Sequence, residues 1–291
     1  MIAARLHGRR PSGGRVEVLL LRPSASPAYD ELATRWHVLA RPGKRLPIGA
    51  EIIFDADACA RVVDVFENGI REVIFSLTIP FTELLERHGR LPLPPYIKID
   101  DDHAQERYQT IFAEVPGSVA APTASLHFTQ DVFHRLDTRG VERAYVTLDV
   151  GIGTFRPMAT ERIDDHVMHA ESYELTDDVV RKITTAKEEG RRIVAAGTTV
   201  VRTLEGNVAS HGRLTAGRFQ TDLFISPGFD FKIVNAMITN FHLPRSTLLV
   251  LVSAFAGRER ILHAYQAAVA SRYRFFSFGD AMLLEKEAAS P

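Results

Sequence analysis

One short segment, 239–247, concentrates side chains that can take part in chemistry. It reads TNFHLPRST and carries six hydrogen-bonding side chains directly before the apolar run 248–256, which predicts a buried helix. Burying Asn240, His242 and Arg245 costs free energy unless each side chain finds a partner. These residues either satisfy one another or face a ligand, and we favour a ligand pocket.

A second segment, 195–205, predicts a strand, a tight turn at Gly197 and a helix with Thr198 or Thr199 as its N-cap. Backbone N–H groups and the helix dipole at such a start attract a carboxylate or phosphate, and Arg202, one turn on, adds positive charge. A capped helix without a ligand explains the same pattern. The spacing of a phosphate-binding P-loop is absent.

A cluster of titratable side chains, His166, His169 and Glu171, lies within six residues. Imidazole and carboxylate groups bind zinc, but this spacing matches no standard zinc site, and the single cysteine, Cys59, cannot form a thiolate cluster. General acid or base chemistry and a purely structural role are the two stronger interpretations. We therefore expect no metal.

The strand predicted at 145–150 runs into a Gly-x-Gly turn at Gly151 and Gly153. The third glycine of the dinucleotide-binding fingerprint is missing, because Arg156 occupies its place. The two glycines allow a ligand to approach the backbone closely, and a plain turn is equally consistent with them.

Two further segments combine unusual residue types. Segment 120–129 mixes small residues with lone polar ones, and Thr129 is the predicted N-cap of the following helix. Segment 273–280 carries aromatic side chains that either stack on a nucleobase or fill the core near the C-terminus.

The elements that position these residues fall into two groups. Up to about residue 80, short strands separated by turns predict a small antiparallel β-barrel, with strands at 16–21, 36–40, 51–54, 60–65 and 71–76. After a proline-rich stretch at 91–95, strands and helices alternate, with a helix at 177–189 and a strand at 192–196. The predicted fold class is α/β, with a barrel domain at 1–85 and an α/β domain at 86–291.

Composition and charge exclude several classes of protein. With 45% hydrophobic and 24% charged residues the chain is typical of globular proteins, and its start lacks the apolar core of a signal peptide. We expect a cytoplasmic protein with no membrane contact. Residues 1–50 carry nine Lys/Arg and three Asp/Glu, although the net charge of the whole chain is -1. This basic region is either a solvated surface or a surface for phosphates.

Three of these segments carry a resemblance to a known family: Gly117 to Thr129 (GSVAAPTASLHFT), Gly197 to Glu205 (GTTVVRTLE) and Thr239 to Gly257 (TNFHLPRSTLLVLVSAFAG). They resemble the S-adenosylmethionine:tRNA ribosyltransferase-isomerases of queuosine synthesis. The resemblance runs in order through nearly the whole chain.

The resemblance implies an enzyme, a fold and a set of substrates. The family moves the ribosyl moiety of S-adenosylmethionine, its co-substrate, to 7-aminomethyl-7-deazaguanine at the tRNA wobble position, giving epoxyqueuosine, adenine and methionine. The implied fold is an α/β domain interrupted by a small β-barrel. No metal is implied, and we expect a monomer.

The same resemblance suggests roles for the candidate residues. Gly197, Thr198 and Thr199 with Arg202 would bind the methionyl carboxylate. The nucleoside pocket would be lined by Asn240, His242 and Arg245. The acid or base candidates are His127, His166 and His169.

Two departures from the family pattern limit these expectations. Asp149 replaces a usual His before the Gly-x-Gly turn, and Ser125 replaces a usual Gly. Members also begin about sixty residues earlier, so the first part of the α/β domain is expected to be absent and a misassigned start is one explanation. The alternative to the enzyme is a catalytically impaired, tRNA-binding relative. An S-adenosylmethionine methyltransferase is a weaker third possibility, because the expected glycine-rich turn is missing.

Overall fold

The computed structural model describes residues 1–24, 35–66, 69–93, 107–115, 117–149, 163, 168, 170–277 and 279–286. They fall into two compact units. The first comprises Met1–Glu106 with Ala113–Ala120, and the second comprises Arg107–Phe112 with Ala121–Pro291.

The first unit is built on a closed antiparallel β-barrel. Its six strands are β1 (Arg5–Arg9), β2 (Arg15–Pro23), β3 (Arg35–Arg41), β4 (Glu51–Ile53), β5 (Ala58–Val65) and β6 (Arg71–Leu77). Neighbours pair in the order β2-β3-β6-β5-β4-β1, and the pairing of β1 with β2 closes the sheet. Closure leaves no free sheet edge among these strands, and it confirms the predicted barrel.

Buried apolar residues alternate with more exposed residues along the strands, and the buried ones fill the barrel interior. On β2 the side chains of Val16, Val18 and Leu20 are buried, while those between them are more exposed. On β3 the side chains of Trp36 and Val38 are buried in the same alternating way. The period of two places one apolar face inside, which is why these strands could be located from the sequence.

The barrel unit continues beyond the boundary predicted at residues 85 and 86. Helix α1 (Phe81–His88) places the ring of Phe81 on that of Trp36, with 5.1 Å between ring centroids, and β7 (Gly89–Arg90) pairs with β1. A Cβ atom at Gly89 would lie 2.5 Å from the carbonyl oxygen of Ala3, so only glycine fits there. The predicted boundary therefore falls inside a helix that packs on the barrel.

The second unit has an α/β architecture, as predicted. Its helices are α2 (Gln130–Thr138), α3 (Asp177–Glu188), α4 (Thr198–His211), α5 (Thr247–Ala256) and α6 (Arg258–Ala270). Its strands are β8 (Thr147–Asp149), β9 (Glu171–Leu175), β10 (Val194–Ala196), β11 (Gly217–Thr221), β12 (Ala236–Asn240) and β13 (Ala281–Glu285). They form two three-stranded sheets, in the orders β11-β9-β8 and β10-β12-β13.

The core of the α/β unit fixes the position of β12. Met237 on β12 is fully buried in one apolar cluster with Val201 of α4 and Val252 and Phe255 of α5. The ring of Phe255 also makes an edge contact with Phe231, at 4.9 Å between centroids. Close packing of this kind holds the end of the strand, and the polar residues there, in one place.

Candidate functional site in the α/β unit

The site is formed where two parallel strands end. β10 and β12 run parallel, with Val194 opposite Ala236 and Ala196 opposite Ile238, so their carboxyl ends lie at the same edge of the sheet. Gly197 follows the first strand directly, and the segment with His242 follows the second. Crevices outside the carboxyl ends of parallel strands are the usual ligand sites of α/β sheets.

Helix α4 begins at this edge, but its cap differs from the prediction. Gly197 is the N-cap, with a φ of 103°, and neither Thr198 nor Thr199 caps the helix with its side chain. The N–H of Gly197 donates to the carbonyl oxygen of Ile238 (2.8 Å). This positive φ favours glycine, so the helix starts one residue earlier than a threonine cap would allow.

A 3-10 turn, Thr123–His127, lies beside the start of α4. A Cβ atom built on Gly197 would be 3.8 Å from that of Ala124 in this turn. The turn ends at His127 and is followed by α2, whose N-cap is Thr129: its side chain accepts a hydrogen bond from the N–H of Val132, as predicted. The turn thus carries His127 to the sheet edge.

Asn240, the last residue of β12, connects His127 to the segment before β13. Its Nδ2 lies 3.1 Å from Nε2 of His127 and donates to the carbonyl oxygen of Phe276 (2.9 Å). Only 3% of Asn240 is exposed, and its Oδ1 has no hydrogen-bond partner among the described residues. A buried acceptor in this state is unfavourable, which makes it a candidate ligand contact.

His127 is half-buried beside Asn240. Burial lowers the pKa of His127 because it disfavours the charged ring, while the carboxylate of Asp280 raises it and the guanidinium of Arg274 lowers it. Arg274 and Asp280 form an ion pair with each other (3.0 Å). The imidazole is therefore held towards its neutral form.

His242 is buried at the same edge. Its Nε2 lies 3.0 Å from Oγ1 of Thr239, and its backbone N–H donates to the hydroxyl of Tyr265 (2.7 Å). Burial lowers the pKa of His242 to about 4 and raises the pKa of Tyr265 to about 12. Both groups are uncharged near neutral pH. Arg245, three residues on, is exposed and has a φ of 58°.

Arg202 lies inside the unit. Its side chain is 3% exposed, its Nη1 donates to the carboxylate of Glu171, and its Nε donates to the carbonyl oxygen of Leu223 (3.0 Å). The second terminal nitrogen, Nη2, has no partner among the described residues. Glu171, which the sequence grouped with two histidines, is therefore the ion partner of Arg202.

The structure brings together part of the predicted site. His127, Gly197, Thr198, Asn240 and His242 belong to elements that meet at one sheet edge. The predicted residues that lie outside the described part of the chain are Gly151, Gly153, His166 and His169. Asp149 is the last residue of β8. Within the described ranges no group of three or more His, Cys, Asp or Glu side chains is arranged to hold a metal ion.

Two contributors to the site were not found from the sequence. The hydroxyl of Tyr265 comes from the middle of α6, and the carbonyl oxygen of Phe276 comes from a residue with a φ of 70°. A lone tyrosine in a helix and a backbone carbonyl carry no spacing signal. The aromatic segment 273–280 does pack: the rings of Tyr273 and Phe275 contact that of Phe241, at 5.7 and 5.1 Å between centroids.

This geometry defines an α/β protein with a candidate small-molecule site at the carboxyl edge of a parallel strand pair. A helix N-terminus suits an anionic group, and neutral imidazole and amide groups suit a polar, uncharged one. In the described segments no helix has the length and apolar character needed to cross a lipid bilayer.

Comparison with known proteins assigns the family. The sequence model described as "queuosine biosynthesis protein" matches residues 1–284, and the chain belongs to this family. Among the similar proteins, three from different organisms are named S-adenosylmethionine:tRNA ribosyltransferase-isomerase. The relative from Moorella thermoacetica is 51% identical over 287 residues, which are 98% of this chain and 82% of that protein.

The other two relatives give nearly the same figures. The protein from Carboxydothermus hydrogenoformans is 51% identical over 285 residues, 98% of this chain and 81% of its own length. The protein from Natranaerobius thermophilus is 49% identical over 287 residues, which are 98% of this chain and 82% of that protein. A solved structure of S-adenosylmethionine tRNA ribosyltransferase from Thermotoga maritima is 37% identical, covers 97% of this chain and 78% of that one, and has a TM-score of 0.45.

Proposed function

We propose that this protein transfers and isomerises the ribosyl moiety of S-adenosylmethionine onto 7-aminomethyl-7-deazaguanine at the tRNA wobble position. Adenine and methionine leave, and epoxyqueuosine is the product. The observation that carries this proposal is the identity of about one half to named relatives over 98% of the chain. The family resemblance of the three sequence segments points to the same reaction.

The start of α4 is the proposed site for the methionyl carboxylate. Thr198 and Thr199 present backbone N–H groups at the positive end of a helix of 14 residues. Gly197, whose own N–H donates to a carbonyl oxygen of β12, has no side chain and allows the carboxylate to approach the backbone closely. Arg202 supports this site through its Nη2, because its other nitrogens already hold Glu171 and a carbonyl oxygen. Its charge is compensated by Glu171, so the backbone donors carry most of the carboxylate binding.

The nucleoside is proposed to lie against Asn240, His242 and Arg245, next to His127. A sulfonium group acidifies the neighbouring ribose protons, so the reaction needs a base and a proton donor for departing adenine. His166 and His169 remain proposals for these roles, and Gly151 and Gly153 for close backbone approach to the substrate. S-adenosylmethionine is a co-substrate in this scheme, and no metal takes part.

The barrel unit offers a basic surface for tRNA. Arg9 and Arg15 lie directly opposite each other on β1 and β2, and both are exposed. Like charges in opposite positions destabilise a sheet, and neither arginine forms an ion pair with a carboxylate among the described residues. With Arg41 they line one groove on the barrel. Phosphates of the anticodon stem-loop would neutralise them.

The deciding experiment measures adenine and methionine release from S-adenosylmethionine with tRNA bearing 7-aminomethyl-7-deazaguanine. Stoichiometric release with epoxyqueuosine in the tRNA is expected. Binding of that tRNA without release would instead identify a catalytically impaired relative, an alternative motivated by Asp149 in place of the usual His. Formation of S-adenosylhomocysteine would point to a methyltransferase and contradict the proposal.

Two variants test the site and the surface. His127→Gln is expected to lower turnover, while His134→Gln, at an exposed position on α2, leaves it unchanged. Replacing Arg9 and Arg15 by Gln is expected to weaken tRNA binding. It is also expected to make binding less dependent on salt. The slope of the logarithm of the binding constant against the logarithm of salt concentration should become shallower by about one for each phosphate that is no longer neutralised. Unchanged salt dependence would exclude this surface.

A further inference from the structure

A chain of polar contacts fixes the orientation of the Asn240 amide. The carbonyl oxygen of Phe276 can only accept hydrogen bonds, and the Asn240 atom 2.9 Å from it must therefore be the nitrogen, Nδ2. Turning the amide over would place two acceptors against each other. The hydrogen-bond network thus assigns the amide, with Oδ1 left on the other side.

The orientation of Asn240 in turn decides the protonation of His127. Nδ2 is a donor only, and it lies 3.1 Å from Nε2 of His127. Nε2 must then be the acceptor and cannot carry a hydrogen. A neutral imidazole carries its one hydrogen on the other nitrogen, so the network selects the tautomer with Nδ1–H.

We propose that Asn240 is a positioning residue that holds His127 neutral in the Nδ1–H tautomer, so that His127 meets the substrate as a hydrogen-bond donor and not as a base. This inference rests on the proposed function for the identity of the substrate. Nδ1 is already protonated, and the lone pair of Nε2 is occupied by Asn240. The base that removes the ribose proton must then be another group.

The surroundings of His127 support a neutral ring. Burial lowers the pKa of His127, and of the charged groups in the described part of the chain, Asp280 raises this pKa and Arg274 lowers it. A neutral imidazole N–H is an effective donor to a substrate oxygen or nitrogen that gains negative charge in a reaction. The buried Oδ1 of Asn240 is the matching acceptor for an N–H or O–H of the substrate.

The tautomer is read directly by two-bond proton–nitrogen NMR spectra of the ring, recorded without substrate. The wild-type spectrum is expected to show a protonated Nδ1 and an unprotonated Nε2 for His127. Asn240→Leu removes the donor and shifts the ring towards Nε2–H. Asn240→Asp supplies an acceptor instead, reverses the tautomer and raises the pKa of His127. A wild-type ring protonated at Nε2, or a tautomer unchanged in Asn240→Leu, overturns the proposal.

Kinetics test the role in turnover separately. Asn240→Leu and His127→Phe are each expected to lower kcat by about 100-fold, and the double variant by no more than either alone, because the two residues act as one unit. Additive losses contradict the proposal. Asn235→Leu is the matched control: Asn235 lies just before β12, and its Oδ1 accepts from the N–H of Ile193 (2.8 Å). It is expected to leave the ring spectrum and kcat unchanged.

The two measurements separate this inference from the proposed function. If wild-type protein releases no adenine, the proposed function fails, while the NMR spectra still decide the tautomer. If adenine is released and the ring is protonated at Nε2, only the positioning role of Asn240 fails.

Discussion

The barrel unit and the α/β unit differ in what they bury. Arg71 is the one buried polar side chain among the described residues of the barrel unit, and it donates to three carbonyl oxygens, of Leu46, Gly69 and Gly43. The buried polar side chains of the α/β unit include Glu171, Thr198, Arg202, Thr203, Glu205, Asn207, Thr239, Asn240 and His242.

This difference shows where each unit gains stability and where function is placed. The barrel satisfies its backbone by closing the sheet and fills its interior with apolar side chains, so it depends on few individual polar contacts. In the described part of the chain, both units contain buried atoms without a hydrogen-bond partner. In the barrel these are the Nε atoms of Arg5 and Arg10, which are partly exposed residues, whereas Arg202 Nη2 and Asn240 Oδ1 of the α/β unit belong to buried residues. Such groups are tolerated where a ligand completes them.

The two units can be followed separately in unfolding experiments. Trp36, the one tryptophan of the chain, lies in the barrel unit and stacks on Phe81, so its fluorescence reports on the barrel. Helices α2 to α6 belong to the α/β unit, so far-UV circular dichroism reports mainly on that unit. We therefore expect a variant of a buried polar residue in the α/β unit to change the circular dichroism signal and not the fluorescence of Trp36. A variant of Arg71 in the barrel should do the opposite.

The largest expected effect comes from the buried ion pair of the α/β unit. Arg202→Met removes the guanidinium that pairs with the buried carboxylate of Glu171 and is expected to destabilise the unit by about 3–5 kcal/mol. Urea unfolding followed by circular dichroism measures the loss. Combining Arg202→Met with Glu171→Gln is expected to restore more than half of it. A double variant no more stable than Arg202→Met would show that the charge is not the cause.

Acidification is expected to weaken the α/β unit through His242. Burial lowers its pKa from the ordinary value of 6.5 to about 4 in the folded state, so between these values the unfolded chain binds more protons. The free energy of unfolding therefore falls as pH drops from 6.5 to 4, by on the order of 3 kcal/mol. Circular dichroism at a series of pH values measures this slope.

The variant His242→Gln removes that titration. Its unfolding free energy is expected to depend less on pH over the same range than that of the wild type, whereas His134→Gln, at an exposed position, retains the wild-type slope. Equal slopes for all three proteins would mean that other groups govern the acid response.

The sequence predicted the elements better than the site. Alternation located five of the six barrel strands to within about two residues, because inward and outward side chains have a strict period of two. Strand β1 was missed, since Leu6 is its one large apolar residue. Thr129 was recognised as a cap because capping is local in sequence. The ion pair of Arg202 was not predicted, since nothing in the sequence places its partner, Glu171, 31 residues away.

The site itself depends on contacts between distant segments. Asn240 meets His127 across 113 positions and Phe276 across 36. Sequence spacing indicated that Asn240 needed a partner but could not name it, because the meeting of these segments is set by the packing of the whole unit. The cap at Gly197 was missed for a different reason: threonine is a common N-cap, and only the backbone angle shows that glycine is used.

A moderate effect is expected in the barrel. Arg71→Met removes the donors of three carbonyl oxygens and is expected to cost about 2 kcal/mol, seen in the fluorescence of Trp36. Arg61→Met, which breaks an exposed pair with Glu51 (2.9 Å), is the control and is expected to cost about 0–1 kcal/mol. Equal losses of unfolding free energy in the two variants would show that the three hydrogen bonds of Arg71 do not stabilise the barrel.

The smallest effect tests whether the α/β unit also depends on side-chain caps. Thr129→Ala removes the acceptor for the N–H of Val132 and is expected to cost about 1 kcal/mol, while Thr129→Ser keeps the acceptor and most of the stability. Trp36 belongs to the barrel unit, whose helix α1 has Pro80 as its N-cap and no side-chain cap, so its fluorescence should not change. Because Thr129 lies two residues after His127, Thr129→Ala is also expected to loosen the 3-10 turn and lower adenine release more than Thr129→Ser does. Equal activity in the two variants would show that the turn is held by the contact with Asn240 and not by the cap.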